Sequence, residues 1–225
     1  MCFSFLGPLT FMLVLFIIIS INVKGGIAMP GSYDILKILK KNNGMITTNM
    51  VSEAGISRGN LKHLADTGVL EKVSRGVYVL PSTFNDELFE LQSRYKKGIY
   101  SLGTALYLHG LTDRTPLQYE MTFPATYNLS SPKQENIRCS NTKDSFYRFG
   151  IVEVSTPYDH YVKCYDAEKT LCDILRPHNA IDIEIITEAF KQYVMRENKN
   201  LYNLSIYADL LHVEAKVQAY LEVLL

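Results

Sequence analysis

The stretch from Thr47 to Leu80, TTNMVSEAGISRGNLKHLADTGVLEKVSRGVYVL, constrains the chain more than any other, because its apolar spacing and its glycines admit few arrangements. A short helix begins at the Thr47/Thr48 cap and carries Met50, Val51 and Ala54. Gly55 supplies a turn, and Ser57 is a natural N-cap for a second helix whose Leu61, Leu64 and Ala65 recur at helical spacing. Those apolar residues pack on the first helix, which leaves Arg58, Gly59, Lys62 and His63 on the opposite face. The second helix ends at Gly68. Val69 to Val73 and Val77 to Leu80 then read as two strands joined by Ser74, Arg75 and Gly76, a hairpin with a basic tip. Two helices around a tight turn followed by such a hairpin make a winged helix-turn-helix, whose second helix meets the major groove of DNA while the wing lies along phosphates or the minor groove.

This plan assigns residues to DNA contacts. Arg58 and Lys62, one turn apart, face the groove, with Ser57 at the start of the helix and Asn60 and His63 at the margins. Arg58 is the better base reader, since its fork matches the O6 and N7 of guanine. Lys72, Ser74 and Arg75 are the expected wing contacts, with Gly76 permitting the turn.

Charge supports this assignment modestly. The whole chain of 225 residues is neutral, with 23 Lys and Arg against 23 Asp and Glu. From residue 31 to 80, however, Lys37, Lys40, Lys41, Arg58, Lys62, Lys72 and Arg75 face only Asp34, Glu53, Asp66 and Glu71. The basic excess therefore sits in the winged helix, and the motif rather than bulk charge carries the argument.

Residues 1 to 28 form an apolar leader without charge before Lys24, a transmembrane or signal-peptide candidate on hydropathy alone. A signal peptide wants a basic start, which is missing, and secretion contradicts DNA binding. Lys24, Gly25 and Gly26 can be encoded as AAAGGAGG shortly before the Met29 codon, which looks like a ribosome-binding site, so translation from Met29 is expected. The alternative is a membrane anchor whose following basic residues keep the remainder cytoplasmic. Either way the expected location of the rest is the cytoplasm.

Ser32 to Gly44 reads as the first helix of a domain spanning residues 30 to 80, with Tyr33, Ile35, Leu36, Ile38 and Leu39 on one face, and Met45 and Ile46 form a short strand. Residues 81 to 225 make a second, mixed α/β domain, so the fold class is α+β. Asn85 to Lys97 is a linking helix, Ser101 caps another, and YEMTFPATY and FGIVEVST read as strands. The polar run NLSSPKQENIRCSNTKDS between them reads as a surface loop or long hairpin. Asp166 to Leu175, Ile183 to Met195 and Leu204 to Leu224 are helices, the last with apolar positions 207, 210, 213, 217, 220 and 224 that serve either core packing or self-association.

Catalytic constellations are weak. Asp166, Glu168, Lys169 and Asp173 share a helix but fit a salt-bridged surface with a cap as well as a metal cluster. His160 and Cys164 lack a third group, so a structural histidine is expected, and His109 reads as a helix terminus favoured by the macrodipole. Cys2, Cys139, Cys164 and Cys172 have no metal-ligand spacing and read as structural thiols. With no phosphate-binding or nucleophile-elbow motif, no enzyme, no cofactor and no metal are expected.

The run AGISRGNLKHLADTGVLEKVSRGVYVLP resembles the N-terminal domain of the AbiEi-type antitoxin family, and SLGTALYLHGLTD and YDAEKTLCDIL resemble its C-terminal domain. The resemblance implies an antitoxin that is also a transcriptional autorepressor, binding inverted repeats at its own promoter. It further implies a nucleotidyltransferase-like toxin encoded nearby, without implying direct contact, and it places antitoxicity in the C-terminal part. The competing expectation is a winged-helix transcription factor with a ligand-sensing or enzymatic second domain.

Overall fold

The computed structural model describes residues 31–81, 86–135 and 137–224; the leader and the Asn85 start of the linking helix lie outside them. These described residues divide into two compact units, those within 31–94 together with Pro157–His160, and those within 95–156 together with 161–224. The composition is mixed α and β, as expected. No helix among the described residues is long and apolar enough to cross a membrane.

In the first unit, helix α1 (Ser32–Lys41) buries Ile35, Leu36 and Leu39 and leaves Lys37, Lys40 and Lys41 exposed. Gly44, at φ 86°, turns the chain into strand β1 (Met45–Thr47), a left-handed conformation that a side chain would strain. The Thr47 hydroxyl accepts the Met50 N–H at 3.3 Å and so caps α2 (Thr48–Glu53). After Gly55 (φ 71°) comes α3 (Gly59–Asp66), whose Leu61 and Leu64 join Ile35, Leu39, Ile46 and Val51 in one core. Full burial of each such side chain stabilises the unit by roughly 1.5–3 kcal/mol.

Strands β2 (Glu71–Ser74) and β3 (Val77–Val79) complete an antiparallel sheet in the order β1-β3-β2, with Met45 opposite Val79. The first strand of the hairpin starts two residues later than its apolar run, because Val69 and Leu70 are spent on the core at the end of α3. Helix α4 (Glu87–Arg94) lays Phe89 on Met45, Val77 and Val79.

Buried His160 belongs to this unit as well. Its Nδ1 lies 2.7 Å from Asp86 Oδ2, its Nε2 lies 3.0 Å from the Asn42 carbonyl, and its ring stacks on Phe89. An acceptor at each ring nitrogen calls for a proton on both, so the imidazolium is the form that fits. Burial opposes that charge, but the hydrogen bonds to Asp86 and Asn42 outweigh it and raise the pKa.

The second unit is built on a five-stranded sheet. Its strands are β4 (Ile99–Tyr100), β5 (Tyr119–Pro124), β6 (Ile137–Thr142), β7 (Ile151–Ser155) and β8 (Tyr161–Tyr165), in the order β6-β5-β4-β8-β7. The β4-β8 and β5-β6 pairs are parallel and the other two are antiparallel. Helix α5 (Leu102–Leu108), the short α6 (Asp144–Tyr147), α7 (Ala167–Ile174), α8 (Ile183–Val194), α9 (Leu201–Leu210) and α10 (Glu214–Leu224) supply the rest. Leu106, Leu171, Cys172, Phe190, Leu204 and Val217 meet in its core.

Two expectations fail here. The polar run read as a loop contains β6, which pairs in parallel with β5 from Tyr119 opposite Ile137 to Pro124 opposite Thr142. The single helix expected from Leu204 to Leu224 is two helices, because the helical backbone is broken at His212, where φ is 57°. That break lets Tyr220 stack on Phe190 at 4.6 Å, and Tyr207, Val213, Val217, Tyr220 and Leu224 pack against their own core.

Candidate nucleic-acid interface

The start of α3 is set by a short run of hydrogen bonds. Ser57 caps the helix as expected: its hydroxyl accepts the Gly59 N–H at 3.3 Å and its carbonyl accepts the Asn60 N–H at 3.1 Å, while Arg58 already has helical backbone angles (φ −60°, ψ −24°). Arg58, Lys62 and His63 are exposed, and Asn60 is half-buried. Buried Leu61 and Leu64 turn the basic residues outward, which is the amphipathic logic of the helix.

Arg58 is held from one side. Its Nε donates to the Ser52 Oγ at 2.7 Å, and that hydroxyl in turn donates to the Thr48 carbonyl at 2.8 Å. Nothing in the sequence marks Ser52, since a serine six residues upstream and on another helix carries no signal of its own.

On the hairpin, Lys72 and Arg75 are exposed, whereas the Ser74 Oγ is buried and has no hydrogen-bond partner among the described residues. The pairing of β2 with β3 shifts register between Lys72 and Ser74, a bulge at Val73 that the sequence did not announce. Gly76 accepts the Thr48 N–H at 2.8 Å through its carbonyl, at φ 82°. A Cβ there would lie 2.8 Å from the Thr48 Oγ1, so glycine is required both for its conformation and for space.

The second unit holds a different cluster. The Asp166 carboxylate caps α7 by accepting the Lys169 N–H at 2.7 Å and receives the Tyr207 hydroxyl at 3.0 Å. Lys169 Nζ pairs with Asp173 at 2.7 Å and sits over the Tyr165 ring, and Arg176 reaches the same Asp173 at 3.4 Å. Glu168 accepts from the Tyr193 hydroxyl at 2.9 Å and the Asn200 N–H at 3.0 Å. The cap is as expected, but the surface is not: Glu168, Lys169 and Asp173 are only 8%, 3% and 7% exposed. Burial pushes the Asp166 carboxyl up and the Lys169 amine down, each toward its neutral form.

His160 and Cys164 do not pair, since His160 bonds Asp86 and Asn42 while Cys164 lies buried on β8. His109 does stand at the C-terminus of α5, as expected, with Nε2 2.7 Å from the Tyr165 carbonyl, and burial lowers its pKa, which works against the charged form that the macrodipole favours.

No curated protein matches the chain. Among solved structures, it is similar to the crystal structure of RV2827C protein from Mycobacterium tuberculosis, at 15% identity and a TM-score of 0.48, over 84% of this chain and 79% of that one. Residues 33–81, which run from the first turn of α1 to just beyond β3, match the family described as "Transcriptional regulator, AbiEi antitoxin".

Proposed function

We propose that the chain is an antitoxin that binds DNA and represses the operon from which it is expressed. In this reading α2 and α3 form a helix-turn-helix around Gly55, β2 and β3 form the wing, and the target is an inverted repeat in the promoter. The observation that carries it is the coincidence, inside the stretch matched by the AbiEi regulator family, of exposed Arg58, Lys62 and His63 on α3 with exposed Arg75 at the hairpin tip. Ser57, Arg58, Asn60, Lys62 and His63 would meet the groove. Lys72 and Arg75 would meet phosphates, and Ser74, with its buried hydroxyl, would contribute at most backbone. The second unit would supply antitoxicity against a nucleotidyltransferase-like toxin encoded nearby, acting in the cytoplasm without a catalytic step of its own.

The test has two arms. A duplex of the promoter upstream of the gene is titrated with the full chain and with the Arg58→Ala and Arg75→Ala variants over a range of salt. Arg58→Ala is expected to weaken binding by roughly 1–3 kcal/mol. Arg75→Ala should lower the log-log salt slope by about one unit. A parental chain without affinity for the duplex sinks the repressor half. Co-expression with the neighbouring toxin frame tests the other half, and failure to restore growth sinks that.

A further inference from the structure

If α3 reads DNA as proposed, something must hold a long, exposed arginine in one pose. We infer that Ser52, on the preceding helix, is the positioning residue that makes Arg58 a reader of guanine. The direction of each hydrogen bond is fixed by chemistry. Ser52 has one hydroxyl proton, and it goes to the Thr48 carbonyl at 2.8 Å. Its lone pairs can then only accept, which is what a guanidinium requires, and Arg58 Nε supplies the proton at 2.7 Å.

A guanidinium is planar, so anchoring Nε restrains the whole group about its stem. The bond to Ser52 uses the inner N–H and leaves the terminal edge, with both amino groups, outside that bond. That edge is the fork that matches O6 and N7 of guanine in the major groove. Restraining it before DNA arrives removes part of the rotamer entropy that binding would otherwise cost.

Thr48 extends the arrangement. Its N–H is bonded to the Gly76 carbonyl at 2.8 Å, so the residue that holds Ser52 is also tied to the tip of the hairpin. Arg58 and the hairpin tip are therefore tied, through Ser52 and Gly76, to one residue, Thr48. Removing the Ser52 hydroxyl releases Arg58 and leaves the link to the wing in place, which predicts loss of base discrimination without loss of phosphate contacts.

The experiment uses the full chain, its Ser52→Ala, Ser52→Thr and Arg58→Ala variants and the Ser52→Ala/Arg58→Ala double variant. Each is titrated on the promoter duplex and on the same duplex with 7-deazaguanine throughout, which lacks the N7 acceptor. The parental chain should bind the modified duplex about tenfold more weakly. Ser52→Ala should lose most of that penalty at an unchanged salt slope, and Ser52→Thr should keep it. In the Arg58→Ala background, Ser52→Ala should change nothing. Ser52 is exposed and alanine is the better helix former, so the variant folds. A Ser52→Ala protein with the parental penalty, or one that loses as much affinity without Arg58, overturns the positioning role. Equal parental binding to both duplexes overturns guanine reading, and equal losses by Ser52→Ala on both duplexes reduce Arg58 to a phosphate contact and overturn it too. No parental binding to either duplex fails the DNA reading itself.

Discussion

Helices α3 and α7 are both eight residues long and both carry charge, GNLKHLAD in one and AEKTLCDI in the other, yet they use it in opposite ways. In α3 only Leu61 and Leu64 are buried, and Lys62 and His63 point to solvent, where a partner with negative charge can reach them. In α7 all eight residues are buried, and Glu168, Lys169 and Asp173 find their partners inside the same unit. A charge that is already paired within the fold has little left to offer a ligand. The difference separates a helix that leaves its charges in solvent from one that encloses them.

The contrast breaks most visibly at Lys169. Replacing it by alanine leaves Asp173 buried with only the longer Arg176 contact, and the full chain should lose about 3 kcal/mol in urea unfolding. Lys62→Ala should stay within about 0.5 kcal/mol of the parent in the same assay. Equal costs at the two lysines would dissolve the distinction.

Gly76 sharpens it from the outward-facing side. Gly76→Ala places a methyl against the Thr48 Oγ1 in a left-handed backbone and is expected to cost about 1–3 kcal/mol and, under the proposed function, to weaken promoter binding. Adding Thr48→Ala should recover the part due to the clash and leave the part due to the backbone. A Gly76→Ala protein with parental stability and affinity would mean that the hairpin tip is not held as described.

The smallest effect comes from the exception, since the first unit also buries a charge at His160. A pKa raised in the folded state contributes stability that is fully present below the unfolded value of about 6.5 and is lost as pH rises through the folded value. Asp86 and Asp159 are the carboxylates that favour the charge, and the neutral Phe89 ring stacks on it. Unfolding free energy should therefore fall above neutrality, by about 1.4 kcal/mol for every tenfold by which folding tightens the hold of the ring on its proton. His160→Gln should flatten that fall; a parental pH profile in the variant would remove His160 from the account.

Legibility followed burial. Leu61 and Leu64 in α3 and the Thr47 cap of α2 could be read because one apolar face and one local hydrogen bond decide them. Strand β6 was opaque because only Ile137 in it is buried, so its period-two signal has almost nothing to alternate with. The break at His212 carries neither glycine nor proline and is decided by packing of α10 on α8. Lys169 looked like surface because sequence shows charge and not enclosure. On α3 and the hairpin the exposure of the basic residues was legible, but the Ser52 bond to Arg58 and the bulge at Val73 depend on how separate elements come together.

Cys164 and Cys172 are both buried in the second unit, and burial raises the pKa of each thiol, so neither ionises readily in the folded chain. Cys139, in the same unit, is only partly covered. Among the described cysteines, a thiol reagent should consequently modify Cys139 first and wait for spontaneous opening to reach the other two. The second unit thus carries its own clock: the delay between the fast and slow modifications measures how often its core breathes, under native conditions and without denaturant.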